Sequence, residues 1–358
     1  MTILRENGSF PMAEANRLVA DLMKPDPKIY WTDFLISIAL GWAGFTLALL
    51  YPWFSLAGMA GLVLAVFALY RAVLFTHELT HLKTGTFKTF RLVWNLLAGF
   101  AFLIPAFTYH GVHRHHHVHD VYGTKEDGEY LPFGAGNPAG IFGYMLLIFI
   151  LPAFFVLRFM LLAPLSVILP PLRKLIWGSF SSLTIDLTYV RPMPSGKDPK
   201  ASWYLQELLA FIYGWTAVAL VWLGILPLKA LLLWYGIAVI IFLLNSLRTL
   251  AAHAYRNPGE QQMSMVEQFL DSVDVPGHRL ITTLWAPTGL RFHATHHLYP
   301  RMPYHNLPKA YQRLKAGLSD NSIYLTASRN SLADALVRLY KDAAKAEGER
   351  DDTPPILS

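Results

Sequence analysis

The chain contains no cysteine, which excludes disulfides, cysteine-ligated iron–sulfur clusters and thiol catalysis. Charge is scarce too: 15% of the 358 residues are Asp, Glu, Lys or Arg, against about a quarter in soluble domains. With 54% hydrophobic residues and a mean hydropathy of +0.34, the composition excludes an ordinary soluble enzyme. The positive surplus is modest at +6, which suits basic residues facing anionic lipid headgroups and does not point to nucleic acid. The first thirty residues mix polar and charged side chains, among them Arg5, Glu6, Lys24, Asp26 and Lys28, so no cleavable signal is expected. A Gly-rich dinucleotide fingerprint is absent as well.

Long apolar runs stand where charge is missing. Residues 31–51 and 53–75 flank Pro52, and residues 204–226 and 228–247 flank Pro227. Each run approaches the ~20 residues that cross a bilayer. The expectation is an all-α integral membrane protein with four transmembrane helices in two hairpins. Lys229 is the only charge in the short hairpin loops, and the basic residues lie mostly on the other side, which is then cytoplasmic. Residues 94–107 are short for a crossing, and residues 141–171 carry Arg158, Pro152 and Pro164. Both are expected to be interfacial or re-entrant helices. Residues 1–30 read as an N-terminal cytoplasmic segment and residues 31–345 as one membrane domain. Within that domain, residues 255–335 are polar and form a cytoplasmic helical cap, followed by an amphipathic helix over residues 331–345. Residues 346–358 read as a disordered tail.

What the chain has in abundance is histidine. Three clusters dominate: His77-Glu-Leu-Thr-His81, His113-Arg-His-His116-His117 and His293-Ala-Thr-His296-His297. A helix turns about 100° per residue, so imidazoles at i, i+3 and i+4 project from one side. Eight such ligands exceed what one four-coordinate zinc needs. They point to two metal ions, and imidazole sites with positions left open for oxygen suit iron.

The first cluster follows the second span, the middle cluster lies between the hairpins, and His253 and the last cluster follow the fourth span. Four crossings therefore put every histidine on the cytoplasmic face. A six-span arrangement would split the first cluster from the middle one. His253 can add a ninth ligand, and Asn245, two turns earlier, can contact metal or water or simply pack between helices. Arg248 reads as a headgroup-level charge or a partner for a cap carboxylate. Ligating histidines usually donate their second ring N–H to a carboxylate or carbonyl, and Glu78, Asp120, Asp127, Asp271 and Asp274 are the candidates. His110, His115 and His119 fall outside the frame of the middle cluster, while His278 and His305 read as structural.

The three boxes resemble those of the integral-membrane fatty acid desaturase family. So do Tyr122-Gly-Thr-Lys-Glu-Asp-Gly-Glu-Tyr130 and His296-His-Leu-Tyr-Pro-Arg-Met-Pro-Tyr-His-Asn-Leu-Pro308, and the likeness spans residues 30–315. The resemblance implies a mushroom-like helical fold and a cytoplasmic di-iron site. Its matching ligands are His77, His81, His113, His116, His117, His253, His293, His296 and His297. Some family members place an asparagine four residues before the lone histidine; here that position is Thr249, and Asn245 or water would stand in. The implied reaction is O2-dependent insertion of a double bond into a long acyl chain carried on lipid, acyl carrier protein or CoA. Electrons would come from an external ferredoxin or cytochrome-type donor, since no second domain is apparent. The nearest rival is a hydroxylase of the same superfamily acting on an acyl chain, alkane, sterol or carotenoid. A zinc protease using His77-Glu78-x-x-His81 would leave two clusters idle. A metal transporter would place its polar residues near the bilayer midplane, not beyond the span ends.

Overall fold

The computed structural model describes residues 10–83, 85–196, 198–319 and 323–351. Among the described residues all regular structure is helical, with only isolated β-bridges and no strand. The chain forms two compact units. One comprises Asp26–Arg114 and Leu146–Leu244; the other comprises Met1–Pro25, His115–Met145 and Asn245–Ser358.

The apolar unit opens with α1 (Pro27–Leu50). Asp26 starts it by accepting the Lys28 N–H, with proline at the first helical position, where its missing donor costs nothing. Pro52 ends it, and Ser55 caps α2 (Leu56–His81) by accepting the Gly58 N–H. The two helices approach closely through glycines. A Cβ on Gly44 would sit 2.6 Å from the Ala65 nitrogen, and one on Gly61 would sit 2.6 Å from the Ala48 nitrogen. Small residues allow this contact in membrane helices, where packing replaces the hydrophobic drive. No breaker follows Phe75, so α2 continues through His81. His77 and His81 therefore stand on its last turns, not beyond the span as its apolar run suggests.

Helix α3 (Phe107–His116) carries His113 and His116 of the middle box. Its start is clamped by Arg191, which donates from Nη1 to the carbonyls of Phe107 (2.9 Å) and Ser181 (2.8 Å). The buried guanidinium lies over the rings of Trp177 and Trp203. Then come α4 (Lys200–Trp222) and α5 (Lys229–Leu250), joined by a turn in which Gly224 takes φ +70°.

Among the described residues, five helices are long and apolar enough to cross a membrane: α1, α2, α4, α5 and the run Leu151–Ile168. The fifth falls within residues 141–171, expected to be interfacial or re-entrant, and its length and composition would also suit a crossing. Pro152 and Pro164 each fall in the first turn of a helical segment, and a π-helical turn over Leu157–Leu162 bridges the two. The prolines thus sit within the run without ending it. Arg158 is fully buried and paired with Glu207, which also accepts from Arg173 Nη1 at 2.6 Å. Residues 94–107, by contrast, break into a π-turn over Asn95–Gly99 and tight turns before α3.

The polar unit has its own core. The helix Met12–Val19 buries Ala15 and Val19 with Ala310 and Leu314 of the helix Leu307–Gly317. Residues 10–22 of the N-terminal segment are therefore built into this core, while residues 27–30 already belong to α1. The unit continues with α6 (Arg279–Trp285), α7 (His293–Leu298) and α8 (Leu332–Asp351). Helix α8 extends six residues past the point where a disordered tail was expected to begin. Ala343, Ala344 and Ala346 favour helix, and the exposed pair Lys345–Glu349 at 3.6 Å adds an i, i+4 contact. Residues 352–358 of that tail lie outside the described residues.

The glycine contact of the first hairpin yields a stability prediction. Gly44→Val should destabilise the protein by ~1–3 kcal/mol through overpacking, read as a lower midpoint in thermal unfolding in detergent. An unchanged midpoint would show that the helices separate at little cost.

Candidate metal centre

In the apolar unit three histidines converge. His77 and His81 lie one turn apart on α2, and His113 lies on α3. Ring centroids are 4.8 Å apart for His77–His81, 4.5 Å for His77–His113 and 4.8 Å for His81–His113. The Tyr109 hydroxyl is 3.0 Å from His113 Nδ1. Glu78 is turned elsewhere. Its carboxylate accepts from the Tyr30 hydroxyl at 2.7 Å and stays 3.7 Å from His77 Nδ1, beyond hydrogen-bond range.

In the polar unit, His116, His253, His293 and His297 each bring a ring nitrogen within 4.8 Å of the others. His293 Nε2 is 2.9 Å from His253 Nε2 and 3.1 Å from His297 Nε2. His117 and His296 stand beside this quartet. Their Nε2 atoms are 3.3 Å apart, and the His117 ring centroid is 4.3 Å from that of His297.

Local structure explains why these imidazoles aim as they do. His116 Nδ1–H donates to Asp127 at 2.8 Å, and Asp127 is itself held by the N–H groups of Gly123 (2.9 Å) and Glu129 (3.0 Å). His253 Nδ1–H donates to the Tyr122 hydroxyl at 2.8 Å, which donates onward to Asp271 at 3.0 Å. The Tyr130 hydroxyl (3.0 Å) and the Arg256 N–H (3.1 Å) complete the shell of Asp271. Fixing the proton on Nδ1 leaves the Nε2 lone pair of each ring as a donor. Asp274 acts on the backbone of α7. It accepts the Thr295 N–H (3.1 Å) and hydroxyl (2.6 Å) in the first turn of that helix, which bears His293, His296 and His297.

Electrostatics favour the neutral form for three of these rings and oppose it for His116. Burial pushes His253, His296 and His297 well below the ordinary histidine range, and repulsion from neighbouring histidines adds to it. Burial also works to lower His116, but the charge and hydrogen bond of Asp127 outweigh it and raise the group. Burial, then the Asp271 charge, hold the Tyr122 and Tyr130 hydroxyls well above their usual value, so both remain donors. Burial raises Asp274 to about 7 against the pull of its hydrogen bonds.

The donor set fits a metal ion. Two ligand nitrogens on one tetrahedral ion are about 3.3 Å apart, from metal–nitrogen bonds of ~2.0–2.1 Å, close to the observed 2.9 and 3.1 Å. Neutral imidazoles facing each other by Nε2 have lone pairs that a cation can fill. All-nitrogen donors suit zinc, copper or iron alike.

The other candidates behave differently. Asp120 is exposed and contacts exposed His119 at 3.0 Å. Asn245 accepts from Arg248 Nη2 at 3.2 Å, and Arg248 also donates to the Thr249 hydroxyl at 2.9 Å. Sequence reasoning missed the hydrogen-bonding roles of Tyr122 and Tyr130. They bound the Tyr122–Tyr130 segment after the second box, eight residues apart, but nothing in their spacing announces a shared carboxylate from residue 271.

A family model for fatty acid desaturases matches residues 51–328. A ceramide hydroxylase of Caulobacter vibrioides (strain NA1000 / CB15N) is 39% identical over 341 residues, covering 95% of this chain and 96% of that protein. The chain belongs to the membrane fatty acid desaturase family, whose histidine boxes bind two iron ions. No solved structure matches it. The family model is named for desaturation, whereas this relative is named as a hydroxylase.

Two outcomes follow from the site. Asp127→Ala should speed metal loss to a chelator by ~10–100-fold, the usual effect of removing such an orienting partner; an unchanged release rate would separate Asp127 from metal holding. For Asp274, raised to about 7 from an ordinary 3.8, the native state binds the proton more tightly than the unfolded chain. Its contribution is intact below pH ~4 and is lost as pH rises to ~7. The midpoint of the wild type relative to Asp274→Asn should fall over that window and level off above it. A flat difference would show that burial does not dominate there.

Proposed function

We propose that the protein is an O2-dependent membrane hydroxylase that acts on the long hydrocarbon chain of a ceramide-class lipid. The observation that carries this reading is the 39% identity to the ceramide hydroxylase, extending over nearly the whole of both chains. His77, His81 and His113 would offer nitrogen to iron in one group, and His116, His253, His293 and His297 in the other, with His117 and His296 as further ligands. Bound iron would supply activation of O2. Overall, a C–H bond, O2, two electrons and two protons would give C–OH and water.

The chain's own residues do the rest. Asp127 and the Tyr122–Asp271 relay hold protons on the outward Nδ1 atoms, so the ring nitrogens facing the metal stay free of protons. Asp274 keeps α7 in register, and with it three of the histidines. Electrons would come from an external one-electron carrier, since the chain has no cysteine for an iron–sulfur centre.

The number of crossings supports a four-span topology. His116 and His253 lie within one metal-sized cluster, so the chain must cross the membrane an even number of times between them. Helices α4 and α5, joined by the turn at Gly224, would supply two crossings. Leu151–Ile168, with its buried Arg158 and π-turn, would then stay within one leaflet. The positive-inside pattern supports a cytoplasmic face for the clusters.

Desaturation of the same chain remains the second reading, supported by the family description. The protease reading loses support because Glu78 faces Tyr30. Purified protein given a ceramide, O2 and a reduced ferredoxin should yield a product one oxygen atom heavier. A product two hydrogens lighter would favour desaturation, and no product from ceramide would overturn the substrate class. His116→Ala and His296→Ala should lose turnover while still inserting in the membrane.

A further inference from the structure

The polar unit carries an apolar surface for which its own core gives no use. Six large apolar side chains are exposed beyond Leu250 among the described residues, and three of them stand on α6: Leu280 (71% exposed), Ile281 (65%) and Leu284 (47%). At i, i+1 and i+4 they form one stripe along the helix. The opposite side is already used: Thr282 is buried, and Trp285 packs on the cluster of Val273, Val275 and Ala335. His278 and Arg279, at the start of the helix, are exposed.

Chain connectivity fixes where this stripe can lie. Helix α5 is a candidate span that ends at Leu250, and its last turn belongs to the polar unit. Two residues on, the Ala252 carbonyl accepts the Val273 N–H at 2.8 Å, and the Ala254 N–H donates to the Asp271 carbonyl at 2.6 Å. Residues 271–275 are thereby tied to the point where the chain leaves the membrane. From Val273 only six residues lead to Arg279, a reach of at most about 20 Å. The headgroup layer is roughly 5–7 Å deep on each side of the hydrocarbon, so α6 starts within reach of it.

We propose that α6 is a monotopic membrane contact: Leu280, Ile281 and Leu284 insert into the leaflet that α5 leaves, and Arg279 meets its anionic headgroups. A short apolar stripe with a cation at its edge is the chemistry that binds a lipid interface. Seven residues separate α6 from α7, including Thr288 and Gly289 at positive φ (+50° and +75°). The contact thus seats the third histidine box relative to the lipid surface. It rests on the membrane anchoring of the chain and not on the reaction proposed above.

The absence of cysteine makes the test clean. Ile281→Cys and, as a water-facing reference, Lys341→Cys are each labelled with a nitrobenzoxadiazole fluorophore. The full-length protein is placed in nanodiscs of phosphatidylcholine and phosphatidylglycerol. Doxyl-labelled lipid should cut emission at position 281 roughly twofold or more and leave position 341 unchanged, with aqueous iodide giving the reverse. Iodide quenching at 281 equal to that at 341, without a lipid effect, would overturn the proposal. Shielding from iodide that vanishes on dilution, without lipid quenching, would assign the stripe to a second copy of the chain and overturn it equally. Leu280→Cys, also exposed, repeats the measurement should Ile281→Cys fail to fold. The readout is emission, so it stands apart from whether ceramide is hydroxylated.

Discussion

Everything in the polar unit depends on holding several neutral imidazoles with their Nε2 lone pairs facing one another in a buried place. Left alone, such an arrangement is unfavourable, because each ring nitrogen loses water and gains little in return. The protein stabilises it from behind. Asp127 fixes the proton of His116, and a tyrosine interposed before Asp271 fixes that of His253. Routing the second carboxylate through Tyr122 keeps its charge one group further from the ring. A metal cation would supply the attraction that the histidines lack.

The surrounding fold follows from this requirement. Histidines from distant sequence positions must meet, so their backbones are pinned. Asp274 ties the first turn of α7, bridging residues 274 and 295. Residues 252–254 pair with residues 271–273, which sets His253 opposite Ser272. In the apolar unit Arg191 clamps the start of α3, and continuity of α2 past Phe75 brings His77 and His81 to the helix end. Each device is a backbone contact, which suits ligands that must hold their geometry to within fractions of an ångström.

Much of this was legible in the sequence. Helical spacing marked the three boxes, and span-length apolar runs marked α1, α2, α4 and α5, because both signals are local and periodic. The carboxylate partners were harder, since their roles arise from long-range pairing. Asp127 and Asp271 could be named as candidates, but so could Asp120, which stands at the surface beside His119. No periodicity distinguishes them. The hydrogen-bonding roles of Tyr122 and Tyr130 are hidden for the same reason, as they meet Asp271 from well over a hundred residues away. The run Leu151–Ile168 was ambiguous because prolines can end a helix or open its first turn, and only the backbone decides which. Whether oxygen is inserted or hydrogen merely removed leaves no mark on box spacing, and there the relative carries the argument.

The central claim is that the histidine clusters together hold two iron ions. It is tested most directly by metal analysis of the purified chain, grown with ample iron and read by mass spectrometry alongside protein concentration. The account predicts about two metal atoms per chain, mainly iron, since eight or more imidazoles exceed the needs of one four-coordinate ion. A single zinc per chain that persists despite the iron supply would contradict it.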